Sequence, residues 1–119
     1  ETIKFHFEMF HGKKFLHKAI NCLDSVEKDD FFNFISTEVS FSRGCMFISK
    51  SKIIMEKFYN SLFPWLERCE KEFGFVDRGY ETRIYAFLAE RYMSYWFKKY
   101  TKFKLMPIFF KDISDFKLD

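Results

Sequence analysis

The segment from residue 51 to residue 73, SKIIMEKFYNSLFPWLERCEKEF, decides the fold class of this 119-residue chain. Because a helix turns once every 3.6 residues, apolar residues three or four positions apart lie on one face and predict a long amphipathic helix. The residues that follow this spacing are Ile54, Phe58, Leu62, Leu66, Cys69 and Phe73. Pro64 lies inside the pattern and predicts a kink or one missing hydrogen bond. Gly74 then predicts the end of the helix.

Three further helical patterns flank this segment. Residues 3–23 carry apolar side chains at helical spacing, and Gly12 interrupts the pattern. Residues 26–35 predict a shorter helix, and Asp24 precedes it with an acidic residue three positions later, which is a capping pattern. Residues 80–100 predict a last long helix, whose final turn carries lysines that complement the helix dipole. The chain is therefore predominantly helical.

Two short apolar segments are predicted as strands. Residues 44–49, Gly-Cys-Met-Phe-Ile-Ser, form a run whose length favours a buried strand, although periodicity alone does not separate it from a buried helix. Residues 103–110 also predict a strand, and Pro107 indicates an edge position in a sheet. The predicted fold class is therefore α+β and predominantly helical, with four helices, one of them broken, and two short strands.

Length and composition limit the organisation and the location of the protein. A chain of 119 residues has room for one core, so we expect residues 1–119 to form a single domain. Its 48% hydrophobic and 31% charged residues exclude a disordered chain and a membrane-spanning one. The three cysteines are widely spaced and odd in number, which favours a reducing cytoplasm. Because the sequence opens with Glu1, we interpret it as a segment of a longer protein.

Charged residues concentrate at the start of the last predicted helix. A helix N-terminus presents N–H groups to anions, and Arg78 and Arg83 beside it could bind a phosphate or a sugar carboxylate. Glu81 is the candidate catalytic residue, as a general base if it faces a cleft. The structural alternative is a solvated, well-capped first turn, in which Glu81 complements the helix dipole.

Three other residues are candidates for a binding site. Glu90 lies seven positions after Arg83, so both side chains project from similar sides of the helix, and Arg91 follows directly. They would line a pocket, contact a neighbouring element or simply face solvent. His11, beside Gly12, is a further candidate, with a structural role as its alternative. The three histidines share no spacing with carboxylates that would indicate a metal site.

Lysines and aromatic residues alternate between residues 95 and 104. That combination is typical of single-stranded nucleic-acid binding and also of a membrane surface. Phe and Lys are frequent throughout the chain, so chance alternation is expected here. The net charge of +3 is too small to indicate nucleic acid, which we do not expect as a partner.

Several short segments, taken in order, resemble one family of proteins. They are Met46-Phe47-Ile48, Phe58-Tyr59, Leu62-Phe63-Pro64-Trp65-Leu66, Arg83, Phe87-Leu88-Ala89-Glu90-Arg91, Trp96 and Pro107. Their order and spacing resemble the C-terminal half of the domain-of-unknown-function family 4422, whose members are glycosyltransferases of bacterial capsular and exopolysaccharide biosynthesis with a GT-A-like fold. Two positions depart from that family. Cys45 stands where its members usually carry Asn, and position 81 is usually another polar residue.

The resemblance implies transfer of a sugar from a nucleotide-sugar donor to a saccharide or lipid-linked saccharide acceptor. It implies that the chain retains the acceptor side, that the donor-binding N-terminal half is missing, and that the segment alone is inactive. The donor and a Mn or Mg ion would bind in the full-length enzyme, and no cofactor or metal ligand is assigned to this segment, which lacks an Asp-x-Asp motif. Substrate-binding candidates are His11, Arg83, Glu90 and Arg91, as residues that line or support a cleft. The location would be cytoplasmic, including the inner face of the membrane.

Two other functions stay open. The first is a non-enzymatic helical interaction module that associates with itself through exposed aromatic residues. The second is a peripheral membrane contact through the lysines between residues 98 and 104.

Overall fold

Five α-helices and two 3₁₀ turns make up the regular structure of the computed structural model, which describes residues 1–74, 76 and 79–107, without the side chains of residues 80 and 81. The helices are α1 (Ile3–His11), α2 (Lys13–Asn21), α3 (Ser25–Thr37), α4 (Lys52–Phe73) and α5 (Ile84–Tyr100). The 3₁₀ turns span Arg43–Cys45 and Gly79–Arg83. No helix in these ranges has the length and the apolar character needed to cross a membrane.

The first three helices lie within two residues of the ranges that the sequence predicts. Gly12 separates α1 from α2 with a φ of 78°, a left-handed conformation that glycine adopts without strain. The side-chain oxygen of Asp24 accepts a hydrogen bond from the Glu27 N–H at 2.9 Å, which confirms the capping pattern before α3. Thr2 caps α1 in the same way, through the Phe5 N–H at 3.2 Å.

The decisive segment folds as one helix of 22 residues. Pro64 does not interrupt α4, even though its ring nitrogen cannot donate a hydrogen bond. The Trp65 side chain that follows it is fully buried, and its Nε1–H donates to the Ala19 carbonyl oxygen at 2.8 Å. Gly74 ends the helix with a φ of 68°, as expected.

Helix α5 lies at the centre of the core and contacts α2, α3, α4 and both 3₁₀ turns. Aromatic rings form much of this core. The Phe31 ring centroid lies 5.3–6.0 Å from those of Trp65, Tyr92 and Tyr95. All three contacts are edge-on, the geometry that the ring quadrupole favours. Each buried aromatic removes roughly 150–250 Å² from water, so this small core needs no disulfide to fold.

The predicted α+β class is wrong, because the described residues are helical and contain no strand. In the first predicted strand, Gly44 and Cys45 have positive φ values of 80° and 50°, which turn the chain. After them Phe47 alone inserts, with its ring centroid 4.9 Å from that of Phe97, while Ile48 is 91% exposed. A run of residues that inserts only one ring into the core does not need a neighbouring strand. The likeness to a GT-A fold is therefore not supported.

The described part of the second predicted strand, residues 103–107, is not a strand either. Residues 103–107 have no regular structure and expose their side chains, and residues 108–110 lie outside the described residues. A strand is stable only when a neighbouring strand satisfies its N–H and C=O groups, and the described part of the chain supplies none.

Candidate functional site

The segment of residues 38–44, which follows α3 and enters the first 3₁₀ turn, is held over α1 and α5 by hydrogen bonds of backbone groups. The Ile3 N–H donates to the Glu38 carbonyl oxygen at 2.9 Å, which ties the segment to α1. The Ser42 N–H donates to the Ser94 hydroxyl at 2.9 Å, and the Gly44 N–H donates to a Glu90 carboxylate oxygen at 3.2 Å, which tie it to α5. The segment therefore has a defined path across the two helices.

A cleft of about 260 Å³ lies between this segment and α1. Its lining combines two apolar side chains, one aromatic ring, one imidazole, one hydroxyl, one carboxylate and one guanidinium. These residues are Glu1, Ile3, His6, Val39, Ser40, Phe41 and Arg43. Polar groups that converge beside apolar side chains are a feature of small-molecule sites. We refer to it below as the α1 cleft.

Arg91 supports the wall of the α1 cleft from inside the protein, with only 3% of its side chain exposed. One terminal nitrogen, Nη1, donates to the Phe87 carbonyl oxygen at 2.9 Å and lies 3.4 Å from a Glu90 carboxylate oxygen. The other, Nη2, lies 3.2 Å from Nδ1 of His6. The buried cation is thus paired and hydrogen-bonded, which a charge needs away from water.

Aromatic rings enclose the same guanidinium. Its central carbon lies 4.3 Å from the Phe41 ring centroid and 5.0 Å from that of Phe7. A cation within about 6 Å of a ring face is attracted by the ring quadrupole. Arg91 therefore connects α5 to α1 through Phe7 and to the cleft segment through Phe41.

The contact with Arg91 determines which nitrogen of His6 carries a proton. A guanidinium can only donate, so Nδ1 of His6 accepts and Nε2 carries the hydrogen. Burial lowers the pKa of His6, and the nearby cations of Arg91 and Arg43 lower it further, while Glu1 opposes them. At neutral pH the ring is therefore uncharged, and in the α1 cleft it acts as a hydrogen-bond donor rather than as a base.

The other predicted residues gather around Phe87, one turn before Arg91. The His11 ring stacks on the Phe87 ring with centroids 4.2 Å apart, and the central carbon of the Arg83 guanidinium lies 5.7 Å from the same ring centroid. His11 and Arg83 therefore both lie against the Phe87 ring. The Phe87 carbonyl oxygen in turn accepts a hydrogen bond from Arg91. The side chain of Glu81 lies outside the described part of the structure.

Glu90 and Arg91, two residues predicted from the sequence, support the α1 cleft, whereas the residues that line it were not predicted. Glu90 and Arg91 hold the cleft segment and His6 in place, whereas His6, Phe41 and Arg43 face the cavity. His6 and Arg91 are 85 positions apart, and no local spacing rule connects them. The only signal for the lining was an arginine directly before Gly44, at a turn.

A larger cleft of about 380 Å³ lies between the end of α4 and the start of α5. It is lined by Glu70, Gly74, Val76, Thr82 and Tyr85. Burial raises the pKa of the Tyr85 hydroxyl, so among the described residues of this lining Glu70 is the one that is charged near neutral pH. The α1 cleft brings two charges and an imidazole together, which makes it the better candidate despite its smaller volume.

In the stretch of alternating lysines and aromatics, residues 95–104, the rings and the cations have different surroundings. Tyr95 and Trp96 are buried in the core, so their rings are not presented to a nucleic-acid base. Lys98 forms an ion pair with Glu38, and Lys99 forms one with Asp30. From Tyr95 to Lys99 the rings face the core and the cations are paired at the surface, whereas Tyr100 and Phe103 are exposed.

No group of three or more His, Cys, Asp or Glu side chains that could hold a metal ion occurs among the described residues.

Comparison with known proteins adds one finding. The family described as "Domain of unknown function (DUF4422)" matches residues 1–102, a range that contains the whole α1 cleft. No curated protein and no solved structure matches this chain.

Proposed function

We propose that this chain, which belongs to the family described as "Domain of unknown function (DUF4422)", binds the saccharide acceptor of a glycosyltransferase that builds capsular or exopolysaccharide. The acceptor lies in the α1 cleft. The donor nucleotide sugar and its metal ion bind outside the described residues. No bond-breaking step is assigned to the residues of the cleft, and Glu81 remains a candidate for the base.

The observation that carries this proposal is the pairing of an uncharged His6 with Phe41 in one cleft. A sugar ring offers hydroxyl groups at its edge and C–H groups on its faces. The His6 Nε2–H and the Ser40 hydroxyl supply hydrogen bonds to the first kind of group, and the Phe41 ring packs against the second. Arg43 adds a cation, which suits the phosphate of a lipid-linked saccharide or the carboxylate of an acidic sugar.

In this proposal the buried residues act by positioning. Arg91 fixes the ring orientation and the tautomer of His6. Glu90 holds the Gly44 amide and pairs with Arg91, so it fixes the segment that carries Arg43. Because nucleotide-sugar donors are made in the cytoplasm, we place the protein there, at the inner face of the membrane where lipid-linked acceptors are extended.

The proposal is tested by the thermal unfolding of the full chain in the presence of neutral oligosaccharides, uronic-acid oligosaccharides and sugar 1-phosphates. We expect at least one class to raise the Tm of the native protein. The same ligand should have no effect on His6→Ala or Arg43→Ala. His17→Ala is the matched control, because His17 is exposed on α2 and does not line the cleft.

A response that His17→Ala and His6→Ala retain equally would place the binding site elsewhere. Absence of any response to all three ligand classes would remove the support for a saccharide site. Either result would move the second candidate function forward.

That second candidate is self-association, and exposed aromatic side chains favour it. Tyr59 and Phe63 are exposed on α4, with their ring centroids 5.6 Å apart. Phe5, Met9 and Phe10 are exposed on α1. Sedimentation velocity over a hundredfold range of concentration would detect it as a rising sedimentation coefficient, which Phe63→Ser would abolish.

A further inference from the structure

Helices α2 and α4 lie side by side in a register that two hydrogen bonds define, one of them buried and the other at the surface. The Trp65 Nε1–H donates to the Ala19 carbonyl oxygen at 2.8 Å, and the Arg68 Nε–H donates to the Cys22 carbonyl oxygen at 2.8 Å. Both pairs advance by three residues along their helices. The register therefore places the end of α2 beside residues 68 and 69 of α4.

That register brings two thiols together. Cys69 is fully buried, and Cys22 is half-buried against the same core. Cys69 directly follows Arg68, whose Nε–H donates to the Cys22 carbonyl oxygen, so the two thiols occupy neighbouring positions where α2 meets α4. Both are free thiols in this structure, and the third, Cys45, is exposed and hydrogen-bonded to neither.

We propose that Cys22 and Cys69 form a disulfide when the protein encounters a small disulfide oxidant such as oxidised glutathione, so that α2 becomes covalently joined to α4. This inference does not depend on the saccharide site. A disulfide forms where two Cα atoms lie roughly 4.4–6.8 Å apart, which neighbouring positions on two packed segments can reach.

The reaction proceeds by two exchange steps. The thiolate of Cys22, the more accessible of the two, attacks one sulfur of oxidised glutathione and releases one glutathione thiolate. The thiolate of Cys69 then attacks the Cys22 sulfur and releases the second glutathione thiolate. Two protein thiols and one molecule of oxidised glutathione thus give one protein disulfide and two molecules of glutathione, with the two thiol protons ending on the glutathiones.

The surroundings of Cys69 set the order of these steps. Burial raises the pKa of the Cys69 thiol, and the charge and the hydrogen bond of Cys22 raise it further, while the Arg68 cation lowers it. Once Cys22 is bound to glutathione, its sulfur carries no charge and part of the opposition to a Cys69 thiolate disappears. Cys22 therefore reacts first, and Cys69 resolves the mixed disulfide.

The crosslink should stabilise the fold, because it restricts the unfolded chain over the long loop between residues 22 and 69. For a domain of this size we expect oxidation to raise the Tm by roughly 5–15 °C. The rise should reverse completely on reduction with dithiothreitol.

The test uses the native, full chain incubated with oxidised glutathione, alkylated with iodoacetamide and digested with trypsin. We expect one alkylated cysteine, Cys45, and a linked pair of peptides that contain residues 19–28 and 69–71. Cys45→Ser is the matched control and should form the same link with the same rise in Tm. Cys22→Ser should show neither.

Two results would overturn the proposal. One is a stable glutathione adduct on Cys22 with Cys69 still alkylated after denaturation. The other is a link that involves Cys45, which Cys45→Ser would abolish. Cys69→Ser introduces a hydroxyl into the core and can lower stability by itself, so Cys22→Ser, at a half-buried position, is the informative variant.

Discussion

The charge state of His6 follows from the residues packed around it. Burial and the cations of Arg91 and Arg43 lower the pKa of the folded-state imidazole below its ordinary value of 6.5, and Glu1 only partly offsets them. The unfolded chain has no such neighbours, so its His6 binds a proton more readily. Stability should therefore rise with pH across the interval between the lowered pKa and 6.5.

We accordingly expect the Tm to fall as the pH is lowered from about 7 to about 5, because the unfolded state then binds more protons than the folded state. Calorimetric scans at several pH values measure this dependence. His6→Gln keeps a polar side chain but does not titrate, so its Tm should fall less over the same interval. An equal fall in both proteins would show that His6 is not a source of the pH dependence.

Cys45 occupies a backbone conformation that suits another residue. Its φ of 50° lies in the left-handed region, which Asn and Gly adopt more readily than Cys does. Its side chain is exposed, so a substitution there changes little packing. We expect Cys45→Asn to raise the free energy of unfolding by roughly 0.5–1 kcal/mol, because Asn avoids part of the free energy that a left-handed backbone conformation costs other residues.

Urea denaturation of Cys45→Asn and Cys45→Val measures this effect. The β-branched Val should destabilise the fold at the same position, because it tolerates a positive φ poorly. If both variants unfolded at the same urea concentration, the left-handed conformation of residue 45 would be contradicted. The sequence could not reveal this feature, because φ at one residue depends on the turn that surrounds it.

At the scale of elements, the sequence predicted the helices well and the strands wrongly, for one physical reason. Helices α4 and α5 satisfy their own backbone hydrogen bonds, so a long local pattern is sufficient to identify them. A strand depends on a partner elsewhere in the chain, which a six-residue apolar run does not reveal. The run around Phe47 was apolar because one ring anchors a turn, not because a strand is buried.

Phe47 and Ile48 should therefore contribute unequally to the stability of the fold. Phe47 packs its ring against those of Phe58 and Phe97, whereas Ile48 is exposed. We expect Phe47→Ala to lower the free energy of unfolding by roughly 2–3 kcal/mol, and Ile48→Ala, the matched control, to change it by less than about 0.5 kcal/mol. Urea denaturation of both variants measures the difference. Similar losses would indicate that both side chains are buried, contrary to this fold.

For the whole molecule, the α1 cleft depends on contacts that only the folded chain creates. Arg83, Glu90 and Arg91 could be selected from the sequence because one helix displays them on neighbouring positions. The cleft itself forms where residues 38–44 cross α1 and α5, and its position follows from long-range hydrogen bonds such as that from the Ser42 N–H to Ser94. Local patterns therefore identified the supports and not the cavity.

The family and the function of this chain rest on observations of different extent. Membership extends over residues 1–102 and therefore covers all five helices. The saccharide acceptor remains our proposal, because it rests on the chemistry of the α1 cleft, in particular on His6 and Phe41. A direct observation of where a saccharide binds is consequently the decisive experiment.

That experiment is the titration of the ¹⁵N-labelled full chain with the oligosaccharide or sugar phosphate that most raises its Tm, followed by NMR of the backbone amides. We predict that the largest chemical-shift changes occur at residues 3–6 and 39–44, on the two sides of the α1 cleft. They should disappear in Arg43→Ala. Changes centred instead on Glu70 and Tyr85, in the larger cleft, or no changes at any amide, would contradict the account.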